Sequence, residues 1–194
     1  MSSAAARTYL TPEEYISFER KATTKHEYLK GQIMAMSGAS FAHNFIMLDT
    51  ATQLNIQLMG GRCQVAASDM RVKVTQTDSY FYPDIVIFCG EPISEDNNFD
   101  TLLNPTLIIE VLSPSTETYD RGRKFEEYKQ IESLQEYLLV SQNQIRVEHY
   151  CHQKTEWLKR EYKELNDVVL LRSIGCELRL QDIYSRTEFA LSEP

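Results

Sequence analysis

The stretch PTLIIEVLSPST, residues 105–116, decides the fold. Thr106 to Leu112 is a nearly continuous apolar run, the pattern of a central strand buried on both faces. One residue interrupts it: Glu110. Moving a lone carboxylate out of water costs several kcal/mol unless something compensates, so Glu110 must be paired, hydrogen-bonded or metal-bound. Upstream, Ile85-Val86-Ile87-Phe88 is a second apolar strand, and Asp84 opens it. Acidic residues are depleted in strands, so two of them here form the first functional signal. For either residue alone, an ion pair with Arg or Lys, or capping of backbone N–H groups, explains it equally well.

On the C-terminal side, Asp120 to Ile131 has helical spacing that places Arg121, Lys124, Tyr128 and Ile131 on one face. Asp120 suits the cap of that helix. Glu136 to Val140 and Gln144 to Cys151 read as strands around Ser141-Gln142-Asn143. A further strand covers Trp157 to Tyr162, with Trp157 expected in the core, and later apolar pieces end near Tyr184. On the N-terminal side, Arg62 to Thr75 and Tyr80 to Phe88 read as strand segments joined by a turn at Gln76 to Ser79. The polar, acidic run Glu91 to Asn104 reads as a loop. Before these, Ser40 caps a helix on which Met47, Ala51, Leu54 and Leu58 recur at helical spacing, and Gly60-Gly61 ends it. Thr11-Pro12-Glu13-Glu14 forms a capping box that opens a short helix to about Arg20 or Lys21. Glu27 to Met36 reads as a hairpin turning at Lys30-Gly31. The fold class is α/β (α+β), a mixed central sheet flanked by helices. The 194 residues are expected to form a single domain. Its core would lie over about residues 40–150, with an N-terminal helix/hairpin extension over 9–36 and extra C-terminal strands over 151–184.

Composition sets the outer bounds. At 42% hydrophobic and 25% charged residues, the chain is ordinary for a folded protein. No apolar run approaches the roughly 20 residues of a membrane span. Met1 to Arg7 contains no apolar leader core, so a cytoplasmic location and no membrane partner are expected. Cys63, Cys89, Cys151 and Cys176 lie far apart without a CxxC pair. That argues against a zinc site, and in a cytosolic protein it reads as four free thiols. A net charge of −8 argues against non-specific wrapping of nucleic acid, which relies on many Lys/Arg–phosphate contacts. It leaves room for a local basic groove and suits a protein that gathers divalent cations.

Asp84 and Glu110 say more together than apart. Pro83-Asp84 followed by Glu110 on a second apolar strand resembles the layout of the PD-(D/E)xK nucleases. The resemblance implies that Asp84 and Glu110 bind Mg²⁺ (or Mn²⁺) beside a backbone carbonyl, here that of Val111. Hard oxygen ligands are what Mg²⁺ requires. Such a metal polarises a phosphodiester and lowers the pKa of a bound water. The same layout places a lysine two residues after the glutamate, on the same face of the strand. This chain has Leu112 there. Lys124, one helix downstream and facing inward with Tyr128 and Ile131, is the replacement. The plainer alternative is a buried stem with its head in water.

With EVLSPST at 110–116, Asp120-Arg121, Lys124 to Tyr128, Glu27-Tyr28 to Gly31, Met36-Ser37, His43 and Glu136-Tyr137, the chain resembles the Uma-two family of restriction-endonuclease-like proteins. The likeness runs from about Tyr9 to Tyr184. It implies a restriction-endonuclease-like core with the lysine moved to the helix.

Several further residues are weighed beside these. Glu27 is a third carboxylate for the site or a solvent-facing neighbour of Lys25. His43, in the first turn of its helix, can orient phosphate or water, but a plain satisfied histidine is the commoner outcome. Asp69 lies across the hairpin from Asp84, with its face open to a one-residue slip of register. The leading expectation is an Mg²⁺-dependent endonuclease that hydrolyses nucleic-acid phosphodiester bonds, DNA foremost. Asp84, Glu110 and the Val111 carbonyl would hold the metal. Lys124 would orient water or stabilise charge developing on phosphorus, and Glu27 would assist. Analogy with restriction-type folds adds a homodimer, two sites for two strands. A second reading, motivated by Leu112 and the acidic charge, is a catalytically inactive nuclease-fold protein that binds nucleic acid or a protein partner. A third is a structural dimer module in which Asp84 and Glu110 merely pair with Arg121 or Arg123.

Overall fold

The computed structural model describes residues 9–187 and residue 189. The stretch Met1–Arg7, read above for its lack of a leader, lies outside them. Helix α1 (Pro12–Glu19) leads into β1 (His26–Leu29) and β2 (Gln32–Ala35), then α2 (Phe41–Leu58). Strands β3 (Cys63–Ala67), β4 (Arg71–Val74), β5 (Ser79–Phe81), β6 (Ile85–Cys89), β7 (Thr101–Leu102) and β8 (Leu107–Leu112) follow. A helical segment comes next, made of α3 (Glu117–Tyr119), a π-helical turn at Asp120–Lys124 and α4 (Phe125–Tyr128). The chain ends through β9 (Glu136–Ser141), β10 (Val147–Gln153), β11 (Glu156–Tyr162), β12 (Val168–Leu171), β13 (Cys176–Arg179) and α5 (Leu180–Ile183).

The caps form as their residue types dictate. Thr11 accepts from the Glu14 N–H, and Glu14 accepts in return from the Thr11 N–H at 2.8 Å. Ser40 accepts from the His43 N–H and starts α2. The buried stripe of α2 is Ile46, Thr50, Leu54 and Leu58. Met47 and Ala51 flank it, half-buried against the same cluster.

Six strands in the order β11-β10-β9-β8-β6-β3 form the main sheet, and β2-β1-β5-β4-β7 form a second. The β8–β9 pair is parallel and its neighbours are antiparallel, so the main sheet is mixed. All six residues of β8 are buried. Leu107, Ile109 and Val111 face one apolar cluster that includes Ile46, Leu54 and Leu58 of α2. Ile108 and Leu112 face another that includes Phe125 and Tyr128 of α4. By strand alternation, Glu110 projects toward this second cluster.

The two long strand runs of the sequence each break in the middle. Arg62 to Thr75 divides into β3 and β4, and Tyr80 to Phe88 divides into β5 and β6, with one half of each run in each sheet. Strand-forming residues resume at once after each break, which is why the sequence reads as continuous. The breaks are made by Ser68, whose left-handed φ of 57° turns the chain, and by Pro83, which has no N–H for a ladder. The Ser68 N–H donates to the Asp84 carbonyl at 3.0 Å, so the two breaks lie side by side. The acidic run expected as a loop contains β7, which pairs in parallel with β4.

Two further expectations are corrected. Cys63 and Cys89 stand in register across β3 and β6 and form a disulfide. Four free thiols therefore become two, Cys151 and Cys176, because strand pairing joins residues whose sequence spacing shows no relation. Trp157 is half-buried rather than core, stacked on His152 with ring centroids 5.0 Å apart and edge-on to Phe125. Among the described residues, no helix is long and apolar enough to cross a membrane.

Candidate active site

The site forms where the chain leaves one sheet for the other. Tyr82-Pro83-Asp84 links β5 to β6, so Asp84 lies one step before the first paired residue of β6, beside Glu110 on β8. Glu27 comes from β1 of the second sheet, and His43 from the first turn of α2. Asp120 and Lys124 bracket the π-helical turn, and both are buried. An α-helix places residues four apart almost above one another; a π turn widens the loop and re-aims its side chains.

Lys124 Nζ lies 2.7 Å from Glu27 Oε1 and 2.8 Å from Glu110 Oε1, with Asp120 Oδ1 at 3.7 Å. The Tyr128 hydroxyl donates to the same Glu110 oxygen at 3.2 Å. Asp84 Oδ2 accepts the Val111 N–H at 2.8 Å and faces His43 Nε2 at 3.3 Å. The Asp84 N–H points at the other Glu110 oxygen, 3.4 Å away. The Asp84 side chain keeps 20% of its surface exposed, while that of Lys124 keeps 5%. The cluster therefore meets solvent on the Asp84–His43 side.

Burial opposes a charge on Lys124, yet Glu110 and Glu27 hold its pKa well above the ordinary lysine value. Burial pushes Glu110 well above the usual carboxylate range, with Lys124 pulling the other way. Asp120 is raised by the same burial. Burial lowers His43, but the hydrogen bond to Asp84, the Asp84 charge, the Val111 backbone and the Asp120 charge together outweigh it, and its pKa is raised. Three carboxylates (Glu27, Glu110 and Asp120) thus share a single lysine, and a fourth, Asp84, faces His43. Charge of that sign left over in a low dielectric calls for a further cation. Two buried polar atoms beside the cluster, His43 Nδ1 and the Tyr119 hydroxyl, have no hydrogen-bond partner. The donor set is carboxylate and carbonyl oxygen, which fits a hard divalent ion. Asp84 and Glu110, with the Val111 carbonyl between their strands, are the residues that would hold it.

Residues 12–181 match a family described as "Putative restriction endonuclease". The chain belongs to the Uma2 family. Two relatives, both uncharacterized proteins of Synechocystis sp. PCC 6803, are similar along nearly their whole length. One is 38% identical over 189 residues, 97% of this chain and 98% of the relative. The other is 39% identical over 164 residues, 83% and 92% respectively. A crystal structure described as that of a "putative nuclease" from Anabaena variabilis superposes with a TM-score of 0.76 at 21% identity. It covers 91% of this chain and 98% of its own. At that identity the likeness speaks for the fold, and the fold is the restriction-endonuclease-like one the sequence resembled.

Within this Uma2 fold, Asp84, Glu110, Lys124 and Glu27 converge. Lys124 reaches Glu110 because the helical segment after β8 packs on the face where Glu110 and Leu112 project, so the ammonium arrives from above instead of along the strand. His43 joins the cluster; its position at a helix start gave no hint of Asp84 opposite. Asp120 is also part of it and is not an N-cap: Thr116 holds the N-cap of α3 and Asp120 stands at its C-terminal end. Asp69 stays outside, its side chain 87% exposed and paired with Lys25. Ser113 bonds only locally, to Ser115 and Thr116. Arg121 turns away to Glu117 and Glu148, so it does not neutralise Asp84 or Glu110.

Proposed function

We propose that this protein is an Mg²⁺- or Mn²⁺-dependent endonuclease that hydrolyses phosphodiester bonds in DNA. The observation that carries the reading is one lysine ammonium bridging Glu110 and Glu27 beside Asp84, on a restriction-endonuclease-like fold. When bound, the cation would polarise the phosphodiester and lower the pKa of a bound water. The chain's own residues supply the rest. Asp84 is fixed by the Val111 N–H and His43, so its second oxygen keeps a set direction. Lys124, held protonated, presents positive charge at the point where Glu110 and Glu27 meet, where negative charge on a phosphate would develop. Tyr128 and Phe81, packed near the ammonium, keep water from the rear of the site.

One observation favours the non-catalytic reading: Leu112 leaves the strand without its lysine, and Lys124 is already satisfied by carboxylates. The assay separates the two. Purified protein with supercoiled plasmid and Mg²⁺ or Mn²⁺ is expected to nick DNA in a cation-dependent way, and Asp84→Ala or Glu110→Ala to abolish nicking. Cleavage that persists unchanged in both variants would sink the assignment. Absence of Mn²⁺ binding by calorimetry at millimolar concentration would hand the protein to the non-catalytic reading.

His43 gives a graded test. Groups that orient a ligand carboxylate are worth about 10–100-fold in metal affinity or activity. His43→Ala is expected to raise the Mn²⁺ concentration for half-maximal cleavage by about that factor. The thermal midpoint should barely move, since Ser40 still caps α2 through the backbone of residue 43.

A further inference from the structure

On the opposite face of the main sheet from Glu110, a second set of donors converges. His149 and Cys151 stand two apart on β10, and Cys151 pairs in register with Glu136 of β9. All three therefore project from one face, the one shared with Leu138, Val140 and Val147. Glu136 Oε2 lies 3.0 Å from His149 Nε2, and Cys151 Sγ lies 3.1 Å from the same nitrogen. The three donor atoms lie within 4.8 Å of one another. Glu136 and His149 are only 3% and 2% exposed, while Cys151 is partly buried.

Hydrogen bonding satisfies this trio poorly. If Nε2 carries the proton, it serves the carboxylate and leaves sulfur a weak second acceptor. If Nε2 is bare, the thiol can donate to it, but the carboxylate then faces a lone pair. A cation at the centre would satisfy all three at once, because their donor atoms lie within one ion's reach of one another. One oxygen, one imidazole nitrogen and one sulfur form the mixed donor set of zinc, with bonds of about 2.0–2.3 Å and a fourth position left open. Magnesium and calcium, which take oxygen only, are excluded by the thiol.

We propose that Glu136, His149 and Cys151 bind a single Zn²⁺ ion, with the fourth position facing solvent beside Cys151. The site is separate from the carboxylate cluster and does not depend on its reading. Glu136 Oε1 also accepts the Ser173 N–H at 2.8 Å, from the turn between β12 and β13. That bond ties the carboxylate of the site to the C-terminal hairpin. Burial and Glu136 raise the Cys151 thiol's pKa, so loading would release a proton. The spacing rule that argued against zinc counts cysteines along the chain; it does not see ligands brought together across a strand pair.

Co²⁺ is the probe, because a thiolate ligand gives it a near-ultraviolet charge-transfer band. The full chain, stripped with chelator and free of thiol reductant, is titrated with Co²⁺ and then with Zn²⁺. The expected result is one equivalent of Co²⁺ bound with that band, displaced by one equivalent of Zn²⁺. The band should vanish in Cys151→Ser and remain in Cys176→Ser and Asp84→Asn. His149→Gln should weaken Co²⁺ binding at least tenfold. Cys151→Ser is a near-isosteric change at a partly buried position, and its thermal midpoint without metal should match the parent. Zn²⁺ should raise the midpoint of the parent but not of that variant. No charge-transfer band in the parent, or the same band in Cys151→Ser, overturns the site.

Discussion

Lys124→Met is expected to lower folding stability by about 3–5 kcal/mol at neutral pH and to abolish cleavage, because removing one partner of a buried ion pair strands the other. Methionine keeps the length and apolar character of the stem, so the effect isolates the ammonium. What it strands is unusual: Glu27, Glu110 and Asp120 all lose their shared cation. The sign with pH follows from Glu110, whose pKa in the fold is already raised by burial. A group raised in the fold contributes stability below its unfolded value, and that contribution is lost as pH climbs through the folded value. Lys124 is what pulls Glu110 down, so its loss raises the folded value further. The stability gap between variant and parent should therefore narrow on acidification from about pH 8 to about pH 5. Lys124 itself, raised above the ordinary lysine value, stays protonated across that window and adds no slope there. At about 2–4 °C per kcal/mol for a chain of this size, the midpoint should fall by roughly 6–20 °C. Thermal and urea melts at both pH values measure this. A loss below about 1 kcal/mol, typical of an exposed pair, or a gap that ignores pH, would contradict the arrangement.

The second large effect is chemical rather than structural. Asp84→Asn should reduce cleavage by a factor on the order of 10²–10³, the scale of removing one electrostatic contact to the reacting group. The fold should survive, because the asparagine oxygen can still accept the Val111 N–H and the position is a quarter or less exposed at a loop rather than in a packed strand. The parent and variant should melt within about 1 kcal/mol of each other. Single-turnover cleavage with saturating Mn²⁺ then reads the charge alone. Activity within tenfold of the parent would remove Asp84 from the cation's coordination.

Much of this was legible in the sequence, for reasons that differ by residue. Glu110 announces itself because a six-residue strand buried on both faces has no other polar side chain. The capping boxes and the Lys30-Gly31 turn are local chemistry, written within four residues. Lys124 was reachable because helical periodicity gives a face. What could not be read is what depends on docking. His43 meets Asp84 only after α2 packs on the main sheet, and Asp120 turns inward only because the helical segment takes a π turn. Cys63 finds Cys89 through strand register alone. The split of each long strand run between two sheets is marked only by Ser68-Asp69 and Pro83-Asp84, short signals that also read as a kink within one strand.

The five segments that supply Glu27, His43, Asp84, Glu110 and Lys124 come from three strands or their ends and two helical stretches, and none forms the cluster alone. During synthesis, a ribosome-bound chain has acids but no lysine until the helical segment after β8 has emerged. Even then β8 must await its parallel neighbour β9 before its backbone is paired on both sides. A polypeptide released early therefore lacks the assembled cluster, and on the proposed function the capacity to cut would arrive only once the helical segment had docked.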